Sequence, residues 1–155
     1  MGIASVTHHI VINSPIPAVT QAILFNASGG SVIMNKEKIR VAIVGTGRIS
    51  DLHAIEYMQN PNAEIVALCD TNIDLAKTRA KKWGCSESTK IVDELDKVLK
   101  DINIDMVELL LPHHMHLNAA LKAIEADKIV SLQKPMCLNL DEDNELVDAV
   151  EKYDK

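Results

Sequence analysis

From about residue 38 the chain alternates between two hydrophobic periods. Ile39–Val44 is an apolar, β-branched run that stops at Gly45. Arg48–Met58 follows with helical spacing and places Ile49, Leu52, Ile55 and Met58 on one face. Glu64–Cys69 reads as a strand ending at Asp70, and Asp74–Trp83 as a helix closed by Gly84. Ile91 and Val92 suit a short strand, and Asp93–Lys100 a short helix with Asp93 as its cap. Met106–Leu111 reads as a continuous apolar strand ending at Pro112, His116–Asp127 as a helix and Ile129–Leu132 as a strand. Leu140–Tyr153 closes the pattern as an amphipathic helix with an acidic front. Strands apolar on both faces that alternate with helices predict a parallel sheet covered on both sides. Right-handed crossovers make that a doubly wound α/β fold.

Composition divides the chain at Met34-Asn35-Lys36-Glu37-Lys38. No Lys, Arg, Asp or Glu precedes this point, where Pro15, Pro17 and the Gly29-Gly30 pair lie; after it, charges are interspersed regularly. Residues 1–33 are therefore read as an uncharged N-terminal extension and 34–155 as the domain. Within the extension, Ser5–Asn13 alternates weakly enough to pair with a sheet edge. The whole chain has 155 residues, 47% hydrophobic and 25% charged, an ordinary composition for a soluble domain with a real core.

A net charge of −6 and a shortage of aromatics argue against a nucleic-acid partner. No apolar stretch is long enough for a membrane span, and no basic region precedes the run Ala18–Phe25 as a secretory signal requires. The cysteines, Cys69, Cys85 and Cys137, are odd in number and far apart, which suits reduced thiols in a cytoplasmic protein.

Gly45-Thr46-Gly47-Arg48-Ile49-Ser50 sets G-x-G-x-x-S between a predicted strand and a predicted helix. Gly45 permits the tight turn, Gly47 removes a Cβ from the path of a diphosphate, and Ser50 is small enough for close helix–strand packing. Free N–H groups of the first helical turn then face the phosphates. Glycines gather in turns for many reasons, so the motif gains weight from context. Asp70 ends the next strand twenty residues beyond Ser50, where a carboxylate accepts ribose hydroxyls and repels a 2′-phosphate. That favours NAD over NADP. A bare helix cap is the competing role for Asp70, and it leaves the spacing unexplained.

Leu111-Pro112-His113-His114-Met115-His116 and Gln133-Lys134-Pro135 follow two further strands, so both loops lie on the same carboxyl edge of the sheet. Three histidines in four positions invite a metal reading, but no nearby carboxylate or cysteine completes a ligand set, and no metal is expected. His53 sits on the first helix, where a structural and a functional role stand level. Asp141-Glu142-Asp143 is read as charge bias at a helix N-terminus.

With these pieces in place, Lys38–Lys155 resembles the N-terminal Rossmann domain of the Gfo/Idh/MocA oxidoreductases. The matching pieces are Gly45 to Ser50 with Asp51-Leu52-His53, then Asp70, Pro112-His113-x-x-His116, and Lys134-Pro135. The family usually carries Asn where His113 stands and Glu where Gln133 stands. The resemblance implies hydride transfer between NAD and a CH–OH group of a sugar or polyol. It also implies that Gly45, Thr46, Gly47, Arg48, Ile49 and Asp70 hold the cofactor, with Pro112, His113, His116 and Gln133 lining its side. Lys134 would contact both cofactor and the hydroxyl being oxidised, and Pro135 would shape the loop, often through a cis bond. A neutral Gln133 removes a negative neighbour of Lys134.

The family's second, substrate-binding domain has no counterpart in this chain, and no sixth strand of the usual sheet is evident. The chain alone is expected to bind a dinucleotide and to turn over substrate poorly or not at all. Without a catalytic domain, a nucleotide-binding or sensing module is the alternative. The sheet edge left open suits self-association into a homo-oligomer.

Overall fold

A computed structural model describes residues 38–152 in full and residues 10–12 as backbone. Strand β1, Ile10–Ile12, is followed by β2 (Ile39–Val44), α1 (Ser50–Gln59), β3 (Ala63–Cys69), α2 (Ile73–Trp83) and β4 (Lys90–Val92). Then come α3 (Leu95–Leu99), β5 (Met106–Leu109), a 3₁₀ turn (His113–Met115), α4 (His116–Glu125), β6 (Ile129–Leu132) and α5 (Leu140–Lys152). The strands form one sheet in the order β1-β6-β5-β2-β3-β4. Five run parallel and β1 lies antiparallel on β6, with Ile10 opposite Leu132 and Ile12 opposite Val130. The sheet is therefore doubly wound, and its order reverses between β2 and β5, where such sheets open a crevice at their carboxyl ends.

Alternation along the strands sends side chains to two layers. Ala42, Val44, Val107, Leu109, Val130 and Leu132 pack with Val98 of α3, Ala120 and Ile124 of α4, and Leu146 of α5. Ile43, Ile65 and Leu68 face the other way, against Ala54 of α1 and Ala76 and Trp83 of α2. Each fully buried Val, Leu or Ile side chain here contributes about 1.5–3 kcal/mol by leaving water. At the foot of the sheet, Arg40 forms a bidentate pair with Asp105, at 2.6 Å and 2.9 Å, joining the starts of β2 and β5.

Several expectations need correction. Ile10–Ile12 occupies the edge beyond β6, so the edge expected to lie open carries a strand, and that strand falls within the segment read as able to pair there; the rest of residues 1–33 lies outside the described residues. Helix α1 starts at Ser50, and the face read as its packing face is turned to solvent: Leu52 is 61% exposed, and Ile49, Ile55 and Met58 are exposed too. Ser50, His53 and Ala54 are buried instead, because small residues let the helix approach the sheet and His53 has a polar partner beneath it. That partner, Glu108, interrupts the strand read as continuously apolar. Glu94, with an extended backbone, is the cap residue of α3; Asp93 instead pairs with Lys97 at 2.6 Å. Gly84 ends α2 in the left-handed conformation, as its position predicted.

Gly45 is required by both conformation and space. Its φ is +94°, and a Cβ there would lie 2.5 Å from the Leu110 carbonyl oxygen on the chain leaving β5. Gly45→Ala is expected to cost at least about 1–3 kcal/mol from its backbone conformation alone, measured by urea unfolding followed by circular dichroism; an unchanged midpoint would contradict the close approach. By the same measurement, Leu109→Ala costs about 2–5 kcal/mol and Leu52→Ala about 0.5 kcal/mol or less. Equal losses at the two leucines would return the α1 face to the core.

Candidate functional site

The turn from β2 into α1 is stitched to both neighbouring strands. The Gly45 N–H donates to the Cys69 carbonyl on β3, and the Leu110 N–H donates to Val44, each at 2.8 Å. The Ser50 hydroxyl, fully buried, donates to the Gly47 carbonyl at 2.6 Å, which explains a small polar residue at the third position. Among the described residues, no side chain caps the N-terminus of α1, and a Cβ placed on Gly47 would meet nothing within 4 Å. Arg48 and Ile49 are exposed beside it. An uncapped helix start with open space above a glycine fits a diphosphate, whose oxygens accept from free amides.

Asp70 is fastened to this turn. Its Oδ2 accepts from the Thr46 N–H at 2.7 Å and the Thr46 hydroxyl at 2.8 Å, and its Oδ1 accepts from the Asn72 N–H at 2.8 Å. Burial pushes this carboxyl up, but the bonds from Asn72 and Thr46 outweigh that and hold it below the usual carboxylate range. The capping role weighed for Asp70 belongs to Asn72, whose side chain accepts from the Leu75 N–H. Thr46 is fully buried, with its hydroxyl and amide both engaged by Asp70.

A brace that the sequence did not suggest lies behind the turn. Arg79 of α2 donates to the Thr46 carbonyl at 3.1 Å and to Asp51 at 2.7 Å, while the Trp83 indole donates to Asp51 at 2.9 Å. Hydrogen bonds from Lys82 and Trp83 hold the Asp51 carboxyl below its ordinary value. No spacing along the chain signals it, because Asp51 meets Arg79 and Trp83 only through the way α1 and α2 lie against each other.

The ends of β5 and β6 bring the other two motifs together. Pro112, His113 and His114 are exposed on the loop after β5, whereas His116 is fully buried. The His116 ring lies 2.9 Å from the Leu111 carbonyl through Nε2, and 3.0 Å and 3.2 Å from the Pro135 and Met136 carbonyls through Nδ1. It pins one loop to the other. The Lys134–Pro135 bond is cis, and the Lys134 side chain is exposed. Gln133 reaches inward, with its Nε2 2.8 Å from His53 Nε2 and its Oε1 accepting the Lys134 N–H at 2.8 Å.

Beneath Gln133 lies the second feature that the sequence reading passed over. Glu108, fully buried on β5, has His53 Nδ1 3.0 Å from its Oε1 and the Tyr57 hydroxyl donating to its Oε2. Burial drives this carboxyl up; the bonds from His53 and Tyr57 overcome that and keep it ionised. A lone carboxylate inside a buried parallel strand was the signal, because such a group persists only with partners.

Burial pushes the thiols of Cys69 and Cys137 up to about 11, so both stay protonated near neutrality. Among the described residues no three His, Cys, Asp or Glu side chains are grouped to hold a metal ion, and no helix is long and apolar enough to cross a membrane.

Comparison with known proteins places the chain by sequence and fold. D-glucoside 3-dehydrogenase of Escherichia coli (strain K12) is 30% identical over 123 residues, covering 79% of this chain and 34% of that protein. Myo-inositol 2-dehydrogenase of Thermotoga maritima is 27% identical over 116 residues, covering 75% and 34%. The chain thus spans about a third of the length of these relatives. In fold, it superimposes on apo scyllo-inositol dehydrogenase from Lactobacillus casei with a TM-score of 0.70 at 22% identity, over 78% of this chain and 35% of that one. The model of the oxidoreductase family with an NAD-binding Rossmann fold matches residues 39–155. With that match running from the first residue of β2 to the last residue of the chain, this protein belongs to the Gfo/Idh/MocA oxidoreductase family through its NAD-binding domain.

Proposed function

We propose that this chain is the cofactor-holding part of a dehydrogenase that oxidises a CH–OH group of a sugar or polyol. NAD, when bound, accepts the hydride that leaves the carbon, while the hydroxyl proton departs and a carbonyl forms. The observation that carries this reading is the open, uncapped turn at residues 45–50 with Asp70 fastened beside it.

The amides of Gly47, Arg48 and Ile49 would hold the diphosphate, and Gly45 shapes the turn that presents them. Beyond the three donors from Thr46 and Asn72, the Asp70 carboxylate keeps about one acceptor site, on Oδ1, for a ribose hydroxyl; a 2′-phosphate in the same place would meet its negative charge, so NAD is preferred over NADP. Thr46 serves by holding Asp70. Pro112 and His113 stand at the exposed mouth of the β5 loop on the cofactor side, and His116 supports that side from below. Lys134, exposed at the end of β6, would meet the substrate hydroxyl and help its proton leave. Gln133 sets the main chain that carries it. The relatives named above act, by name, on a glucoside and on myo-inositol, which supports the substrate class. Three free cysteines suit a reducing cytoplasm, and the cofactor would be held by the part after residue 38, to which strand β1 is added at the β6 edge. A homo-oligomer remains part of the proposal, through a surface other than the β6 edge that β1 covers.

Calorimetric titration tests the central claim. The parent should bind NAD, NADP should bind more weakly, and Asp70→Ala should weaken NAD about tenfold to a hundredfold, the worth of hydrogen bonds to a charged group. Gly47→Ala should fold as the parent does, since its Cβ meets no atom of the described residues, yet weaken NAD by about tenfold or more. Equal uptake by parent and Asp70→Ala, or uptake by neither, would remove the reading.

Acid unfolding gives Asp70 a signature without nucleotide. Its carboxyl titrates below the ordinary value in the folded chain, so the stability it contributes is present above about pH 4 and fades as pH falls through the lower folded value. Asp70→Asn should therefore show a shallower loss of stability below pH 4, read as unfolding midpoints against pH.

A further inference from the structure

The path from Glu108 to Lys134 can be followed atom by atom, and each step restricts the next. Lys134 offers a main-chain N–H, which can only donate, so the Gln133 atom facing it at 2.8 Å is the carbonyl oxygen. The NH₂ end of Gln133 then faces His53 Nε2 at 2.8 Å and can also only donate. His53 Nε2 is thereby the acceptor and carries no proton. The ring proton belongs on Nδ1, 3.0 Å from Glu108 Oε1. Tyr57 donates to the other oxygen of the same carboxylate. Polar contact therefore runs from Gln133 through His53 to Glu108, the last link being the 3.0 Å approach of Nδ1 to Oε1, with Tyr57 donating to the other oxygen from the far side.

The elements that carry these groups are closely packed. Glu108 is opposite Ile43 on one side and Ser131 on the other, under α1. Glu108 is 0% and His53 1% exposed, so water does not compete for either. A carboxylate in this setting is costly unless its partners stay, and a misplaced His53 proton would set two lone pairs or two protons against each other at one end of the ring. The arrangement therefore has one low-energy assignment of protons.

We propose that Glu108, His53 and Tyr57 form a buried positioning device for the Gln133-Lys134-Pro135 turn. The carboxylate selects the Nδ1–H form of His53, whose bare Nε2 holds the Gln133 amide, and with it the Lys134 main chain, in one orientation. These three are positioning residues: none reaches the open mouth of the crevice. The functional meaning rests on Lys134 facing substrate, as proposed above, whereas the proton arrangement does not.

Nitrogen-15 NMR of the full chain tests it directly. The parent should show His53 Nδ1 as a protonated, pyrrole-type nitrogen and Nε2 as a bare, pyridine-type one. Glu108→Gln keeps an oxygen for Nδ1–H and should preserve that pattern. Glu108→Leu removes the acceptor and should abolish the pattern and speed exchange of the Lys134 amide hydrogen by about tenfold, the equivalent of about 1.4 kcal/mol in protection. Gln133→Glu replaces the donor by a second acceptor and should leave both ring nitrogens protonated; it also keeps the test open if Glu108→Leu does not fold. A parent ring protonated on Nε2, or a Gln133→Glu ring unchanged from the parent, would overturn the proposal. So would a folded Glu108→Leu chain with unchanged His53 signals and Lys134 exchange. None of these signals requires nucleotide, so this inference and the cofactor reading fail separately.

Discussion

The closeness of β2 and β5 at their carboxyl ends governs the rest of the structure. Gly45 bends away from β2 with its α-carbon against the Leu110 carbonyl, at a distance that leaves no room for a side chain. The Gly45 and Val44 bonds to Cys69 and Leu110 then fix the turn to both flanking strands. With the turn held there, α1 begins at a set point above the sheet, Gly47 opens outward, and the loop after β5 emerges alongside. The switch in strand order supplies the crevice, and the missing Cβ lets its two walls meet at the base.

Much of this was legible from periodicity because the strands of β2, β3, β5 and β6 are buried on both faces and bounded by turn residues. The tight turn at Gly45 and the strand-end place of Asp70 were legible because a strand before, a helix after and an acid at the next strand end together give the glycine spacing its weight. The loops after β5 and β6 could be placed on one edge from topology alone, and the structure joins them through His116, a residue read as lining the cofactor side.

Helix α1 shows where pattern reading fails. Its apolar residues Ile49, Leu52, Ile55 and Met58 repeat as a packing stripe should, yet the sheet beneath offers Glu108 and Ser131, and the helix turns His53 and Tyr57 toward them. Amphipathicity reports which face is apolar, not what the opposing surface requires. A strand carrying a carboxylate reverses the preference of the helix above it. The same oversight hid both features: counting Met106–Leu111 as apolar made Glu108 invisible, and with it the reason for His53. Asp51, Arg79 and Trp83 were hidden differently, since their meeting depends on the crossing of α1 and α2, which no local spacing encodes.

The double bond of Thr46 to Asp70 has a thermodynamic consequence. Both groups are locked before any nucleotide arrives, with Arg79 tethering the Thr46 carbonyl from behind. Little conformational freedom is left at that corner to be surrendered on association, so contacts made there count almost fully toward affinity. Rigidity of this kind also makes the corner intolerant: a ribose set slightly askew meets an acid that does not swing to follow it.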